Sequence, residues 1–106
     1  MAQFIFTYHG GKKPETPEEG QKGMEEWKAW AASLGSALVN PGTPVGMTKV
    51  LKADGVSGEP SPHPLMGFSI LEAADMDAAL KLLKDCPHLH HFEGTLEVSE
   101  MMQMPR

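Results

Sequence analysis

The chain is short of cysteine, of clustered positive charge and of long apolar runs. One cysteine in 106 residues cannot close an intrachain disulfide, so packing has to hold the fold, as suits a reducing compartment. Nine Lys and Arg stand against 14 Asp and Glu, a formal net charge of -5. Nucleic acid and anionic membrane both require grouped Lys and Arg to neutralise phosphates, and neither is expected as a partner. The opening stretch Met1 to His9 has no charged leader and no long apolar segment. Neither a signal peptide nor a membrane span is expected, and the cytoplasm is the expected location. Gly10-Gly11-Lys12-Lys13 is glycine-rich and basic but lacks the spacing and the Ser or Thr of a P-loop. No cofactor is expected.

What the chain does contain is a strand, helix, strand series over residues 66 to 101. Met66, Phe68 and Ile70 alternate with Gly67, Ser69 and Leu71, the period of a strand with two unlike faces. Asp75 occupies an N-cap position, and Met76, Ala79, Leu80 and Leu83 follow as one helical stripe that is expected to run to Cys86-Pro87. Cys86 then stands at a helix C-terminus, where the dipole disfavours a thiolate, so it reads as structural. Residues 95 to 101 form the last strand.

Upstream, residues 2 to 9 alternate Phe4, Phe6 and Tyr8 with Gln3, Ile5, Thr7 and His9, a first strand. Thr16-Pro17-Glu18-Glu19 spells a capping Thr, a Pro at the first helical position and a Glu three residues after the cap. Met24, Trp27, Ala31 and Leu34 carry the helix to a stop at Gly35. Ala37-Leu38-Val39 is a short second strand, ended by the turn signal Asn40-Pro41-Gly42-Thr43-Pro44. Residues 47 to 53 read as an edge continuation or hairpin arm, and 54 to 64, with three prolines and two glycines, as an exposed loop.

The order β-α-β-β-α-β defines a single α+β domain over 1–106, with 102–106 as a flexible tail. The expected fold is ferredoxin-like: an antiparallel sheet in the order 4-1-3-2 with both helices on one face. If Phe4, Phe6, Phe68, Ile70, Leu96 and Val98 meet the helices, then Ile5, Thr7, Ser69, Leu71, Thr95 and Glu97 occupy the open face. That mixture suits a wet or ligand-filled cavity between two paired sheets, so a homodimer with a small-molecule ligand is expected.

Met24-Glu25-Glu26-Trp27-Lys28-Ala29-Trp30 leading to Leu34-Gly35, then Gly67-Phe68, Glu72-Ala73-Ala74-Asp75, Cys86-Pro87-His88 and Gly94 to Val98, together resemble the YCII-related (DGPF) domain family. The resemblance spans nearly the whole chain and implies a subunit that pairs into a dimeric α-β barrel. Family members that look catalytic carry a His on the first helix where this chain has Met24. The Asp-Gly-Pro-Phe signature is reduced to Asp54-Gly55, and no catalytic residue is carried over.

Topology brings the end of strand one beside the starts of strands three and four, so His9, His63, His88, His90 and His91 should gather at one end of the subunit. Imidazole is suited both to proton transfer near neutrality and to metal ligation. His9 and Glu97 form the expected acid-base pair, with Thr7, Ser69 and His63 beside them as ligand-binding groups. No metal is expected; the alternative is His88 and His90, whose H-x-H spacing would align both rings on an extended segment. Two functions remain open: acid-base chemistry of an isomerase or lyase kind in an inter-sheet cavity, or a noncatalytic binding or structural dimer.

Overall fold

In the computed structural model, which describes residues 1–103, strand β1 (Ala2–Gly10) leads into helix α1 (Pro17–Leu34), a 3-10 turn (Gly35–Ala37) and strand β2 (Leu38–Pro44). A small hairpin follows, β3 (Leu51–Lys52) and β4 (Gly55–Val56), then β5 (Leu65–Ala73), α2 (Met76–Leu83), α3 (Pro87–His90) and β6 (Gly94–Glu100). The sheet order β2-β5-β1-β6, antiparallel throughout, is the expected 4-1-3-2 arrangement read from the other edge. Part of the expected tail, residues 104–106, lies outside the described residues.

The helices start where the local chemistry dictates. Thr16 Oγ1 accepts from the Glu19 amide at 3.1 Å with Pro17 opening α1, and Asp75 Oδ1 accepts from the Ala78 amide at 2.9 Å to open α2. Their apolar stripes cover one sheet face around Phe4, Phe6, Tyr8, Leu71, Ala73, Ala79, Leu83 and Cys86. Trp27 and Trp30 pack onto this core. The result is two layers only 19 Å thick, one sheet face remaining bare.

The register corrects the expected faces of the third sheet strand. Phe4 pairs with Leu71, Phe6 with Ser69 and Tyr8 with Gly67, so Gly67, Ser69, Leu71 and Ala73 point to the helices. Phe68 and Ile70, expected in the core, lie on the bare face. Side-chain size misleads here because Phe4 and Phe6 fill the space under the helices, and small residues opposite them complete the packing.

Three further expectations change. The turn signal at Asn40 to Pro44 does not end β2: it forms an irregularity inside the strand, with Asn40 Oδ1 accepting from the Gly42 amide at 2.8 Å. An edge strand tolerates this, since Pro41 needs no ladder donor there. Gly42 has φ +71, and a Cβ on it would lie 1.7 Å from the Phe68 carbonyl oxygen, so only glycine fits. The hairpin arm is real, but its second strand, Gly55–Val56, falls inside the segment expected to be loop. Finally, α2 ends at Leu83, and Pro87 begins α3 rather than only stopping its predecessor, leaving Cys86 at the start of a helix.

Candidate functional site

His9 closes β1 on the bare face, in step with Thr7 two residues before it and opposite β6, where Thr7 pairs with Glu97. Its Nε2 lies 2.6 Å from Thr7 Oγ1 and 3.0 Å from Glu97 Oε2, and its Nδ1 lies 3.2 Å from the His63 carbonyl oxygen. A carbonyl only accepts, so Nδ1 carries a proton. In the neutral ring Nε2 then accepts from the Thr7 hydroxyl; in the protonated ring it donates towards the Glu97 carboxylate. The cluster thus holds His9 in one tautomer with a carboxylate placed to receive its second proton. His9 is 8% exposed, whereas the Glu97 side chain is 63% exposed. One partner is anchored and the other meets solvent.

Of the expected site, the structure brings His9, Thr7 and Glu97 together, and His63 joins through its backbone carbonyl rather than its imidazole. Ser69 does not join. It is fully buried on the opposite face, where its hydroxyl donates to the Pro41 carbonyl oxygen at 2.7 Å. His88 and His90 are not a ligand pair either. They sit on α3, where two positions differ by about 200° around the axis. His88 Nε2 instead donates to the His9 carbonyl oxygen at 2.9 Å, and His90 Nε2 to that of Lys84 at 2.6 Å. A Cβ on Gly94 would lie 2.1 Å from His88 Nε2, so Gly94 gives that ring its place. Among the described residues no group of three His, Cys, Asp or Glu is arranged to hold a metal ion.

A second feature lies on the helix side. A cleft of about 530 Å³ opens between the first half of α1 and the sheet, with Met24, Trp27, Met66 and Phe92 on its walls and Tyr8 and Gly67 at the sheet. Sequence reasoning missed it, because its walls come from elements far apart in the chain. Gly67 lets β2 and Tyr8 approach β5 closely at the cleft floor, where a Cβ would lie 3.1 Å from the Thr43 carbonyl oxygen and 3.4 Å from the Tyr8 ring, and Gly23 on α1 accommodates the Phe92 ring, which a Cβ would approach to 2.2 Å. The available signal was Met24, the helix position singled out by the family resemblance.

Tyr8 at this cleft belongs to a one-way hydrogen-bond chain. Trp27 Nε1 donates to the Tyr8 hydroxyl at 3.1 Å, Tyr8 lies 2.9 Å from Ser69 Oγ, and Ser69 spends its proton on Pro41. Since indole only donates and a carbonyl only accepts, Tyr8 donates to Ser69. Towards any occupant of the cleft its hydroxyl can only accept. Burial raises the Tyr8 pKa above its ordinary value, against the lowering effect of Ser69 and Trp27. Burial also pushes the Cys86 thiol up to about 11, so neither group ionises near neutrality.

These observations define a ferredoxin-like α+β fold with a bare sheet face and a ligand-sized cleft. No family model and no curated relative matches the chain. Among solved structures it is similar to 5-chloro-2-hydroxyhydroquinone dehydrochlorinase from Burkholderia phenoliruptrix AC1100, solved in complex with 2,5-dihydroxybenzoquinone. The TM-score is 0.57 at 14% identity, over 96% of this chain and 95% of that one. The likeness establishes the fold. No helix among the described residues is long and apolar enough to cross a membrane.

Proposed function

We propose that this chain is a small-molecule-binding subunit of the dimeric α-β barrel kind, akin to the YCII-related domains, and that it holds a compact, largely apolar ligand in the cleft beside α1. The cleft is the observation that carries this. Its volume falls within the roughly 300–1,000 Å³ of small-molecule sites, and apolar walls with a few fixed polar groups are what such sites present. Trp27 lines it and reports occupancy, so quenching of tryptophan emission by one- and two-ring aromatic compounds measures binding. Met24→Glu, at a half-exposed helix position, should abolish that quenching while leaving the fold intact; unchanged affinity would sink the proposal.

Ile5, Phe68 and Ile70, only partly covered on the bare face, support pairing of two subunits through their sheets. The exposed Leu51 and Val56 of the small hairpin add apolar surface that a second copy would cover. A second role follows from the His9 geometry: with its tautomer held and Glu97 at 3.0 Å, His9 is equipped for acid-base chemistry on a ligand between the paired sheets. Long-range nitrogen-proton NMR spectra should show His9 protonated at Nδ1 in the neutral ring. An Nε2-protonated neutral ring would remove this role.

A further inference from the structure

The cleft's electrostatics contradict the protein's overall charge. The chain carries 14 Asp and Glu against nine Lys and Arg, yet among the described residues no carboxylate lines the cleft, whereas Lys12 and Lys13 both do. They stand where the β1–α1 connection crosses the cleft, which is held down by a hydrogen bond from the Lys12 amide to the Phe92 carbonyl oxygen at 2.5 Å. That connection is also fitted closely: a Cβ on Gly11 would come within 3.0 Å of the same carbonyl oxygen and 3.1 Å of the His88 ring. The two ammonium groups are therefore carried on a segment docked to the cleft wall. Glu15, Glu19 and Glu26 line an adjoining groove shared with both lysines. None of them forms an ion pair with Lys12 or Lys13 within 4.0 Å among the described residues.

We infer that the cleft selects compact organic acids: molecules with an apolar, ring-sized body seated against Met24, Trp27 and Phe92 and an anionic group at Lys12 and Lys13. Two cations without an ion-pair partner among the described residues, set at the mouth of an apolar cleft, attract an anion towards it. The body of the ligand is recognised by burial and its charge by the lysines. This inference rests on the cleft being the ligand site and adds the charge of what binds there.

The test uses three probes with one body, 3-phenylpropionate, 3-phenylpropanamide and 3-phenylpropylamine, titrated into the full chain by calorimetry and tryptophan quenching. The acid should bind about tenfold more tightly than the amide, with the amine weakest, and raising the salt concentration should erode the difference. Lys12→Gln with Lys13→Gln, both exposed positions, should bring the acid down to the affinity of the amide without changing the latter. Equal binding of acid and amide to the wild type would overturn the acid selectivity while leaving the cleft as a ligand site. A preference for the acid that survives the double substitution would also overturn it, since the anion would then be held elsewhere. Failure of all three probes to bind at millimolar concentration would remove both the selectivity and the ligand site.

Discussion

Tyr8→Phe removes one oxygen from the middle of the chain that runs from Trp27 through Tyr8 and Ser69 to Pro41. The ring stays, so the packing of Phe6 and His88 against its edge, at centroid distances of 5.5 Å each, is kept. What changes is pairing. Trp27 Nε1 loses its acceptor, and Ser69 Oγ loses a donor while keeping Pro41. An unsatisfied buried polar group costs about 1–3 kcal/mol, and Trp27 is only partly buried, so water softens its loss; about 1.5–2 kcal/mol is expected. Ser69→Ala should cost a similar amount, about 1–2 kcal/mol, because it strands the Tyr8 proton beside a fully buried position, whereas Pro41, exposed on the edge strand, can turn its carbonyl to water. The double variant should cost about 1 kcal/mol less than the sum, since the bond between the two hydroxyls is lost only once. Urea unfolding with an unchanged slope measures all three. Strictly additive costs, or a Tyr8→Phe cost under about 0.5 kcal/mol, would refute a directed chain through these groups.

Three other outcomes are expected. Sedimentation should show a dimer at micromolar concentration, and Ile70→Lys on the bare sheet face should give a folded monomer; a wild-type monomer would rule out pairing through that face. Gly42→Ala should cost about 3 kcal/mol or more and free the β2 edge, seen as faster amide exchange in β2, because the added methyl collides with the Phe68 carbonyl in a left-handed backbone conformation. Cys86 is held protonated in the folded chain, its pKa raised from 9.0 to about 11. The folded state therefore binds more protons than the unfolded one across that interval. Its contribution to stability is complete below pH 9 and is lost as pH rises through 11. Denaturant midpoints should fall between those values, and less so in Cys86→Ala; an identical fall in that variant would assign the effect to other groups, Tyr8 first.

Much of this protein was legible as sequence because the signals were local. The alternation of Phe4, Phe6 and Tyr8, the Thr16 and Asp75 caps and the apolar stripe of α2 each depend on a few neighbouring residues, and local periodicity sets element type. Connection lengths and strand directions then sufficed for the sheet order and for the approach of His9, Thr7 and Glu97, which requires only that β1 and β6 be antiparallel neighbours. Tertiary structure decided the rest. Which face of β5 turns inward depended on the volume already taken by Phe4 and Phe6, and Ser69 moved with it from the expected site into the core. Pro41-Gly42 became a bulge rather than an end because an edge strand forgives a missing donor. The cleft depended on how α1, the end of β1 and Phe92 pack around Tyr8 and Gly67, since these residues lie far apart in the chain and no local pattern announces their approach.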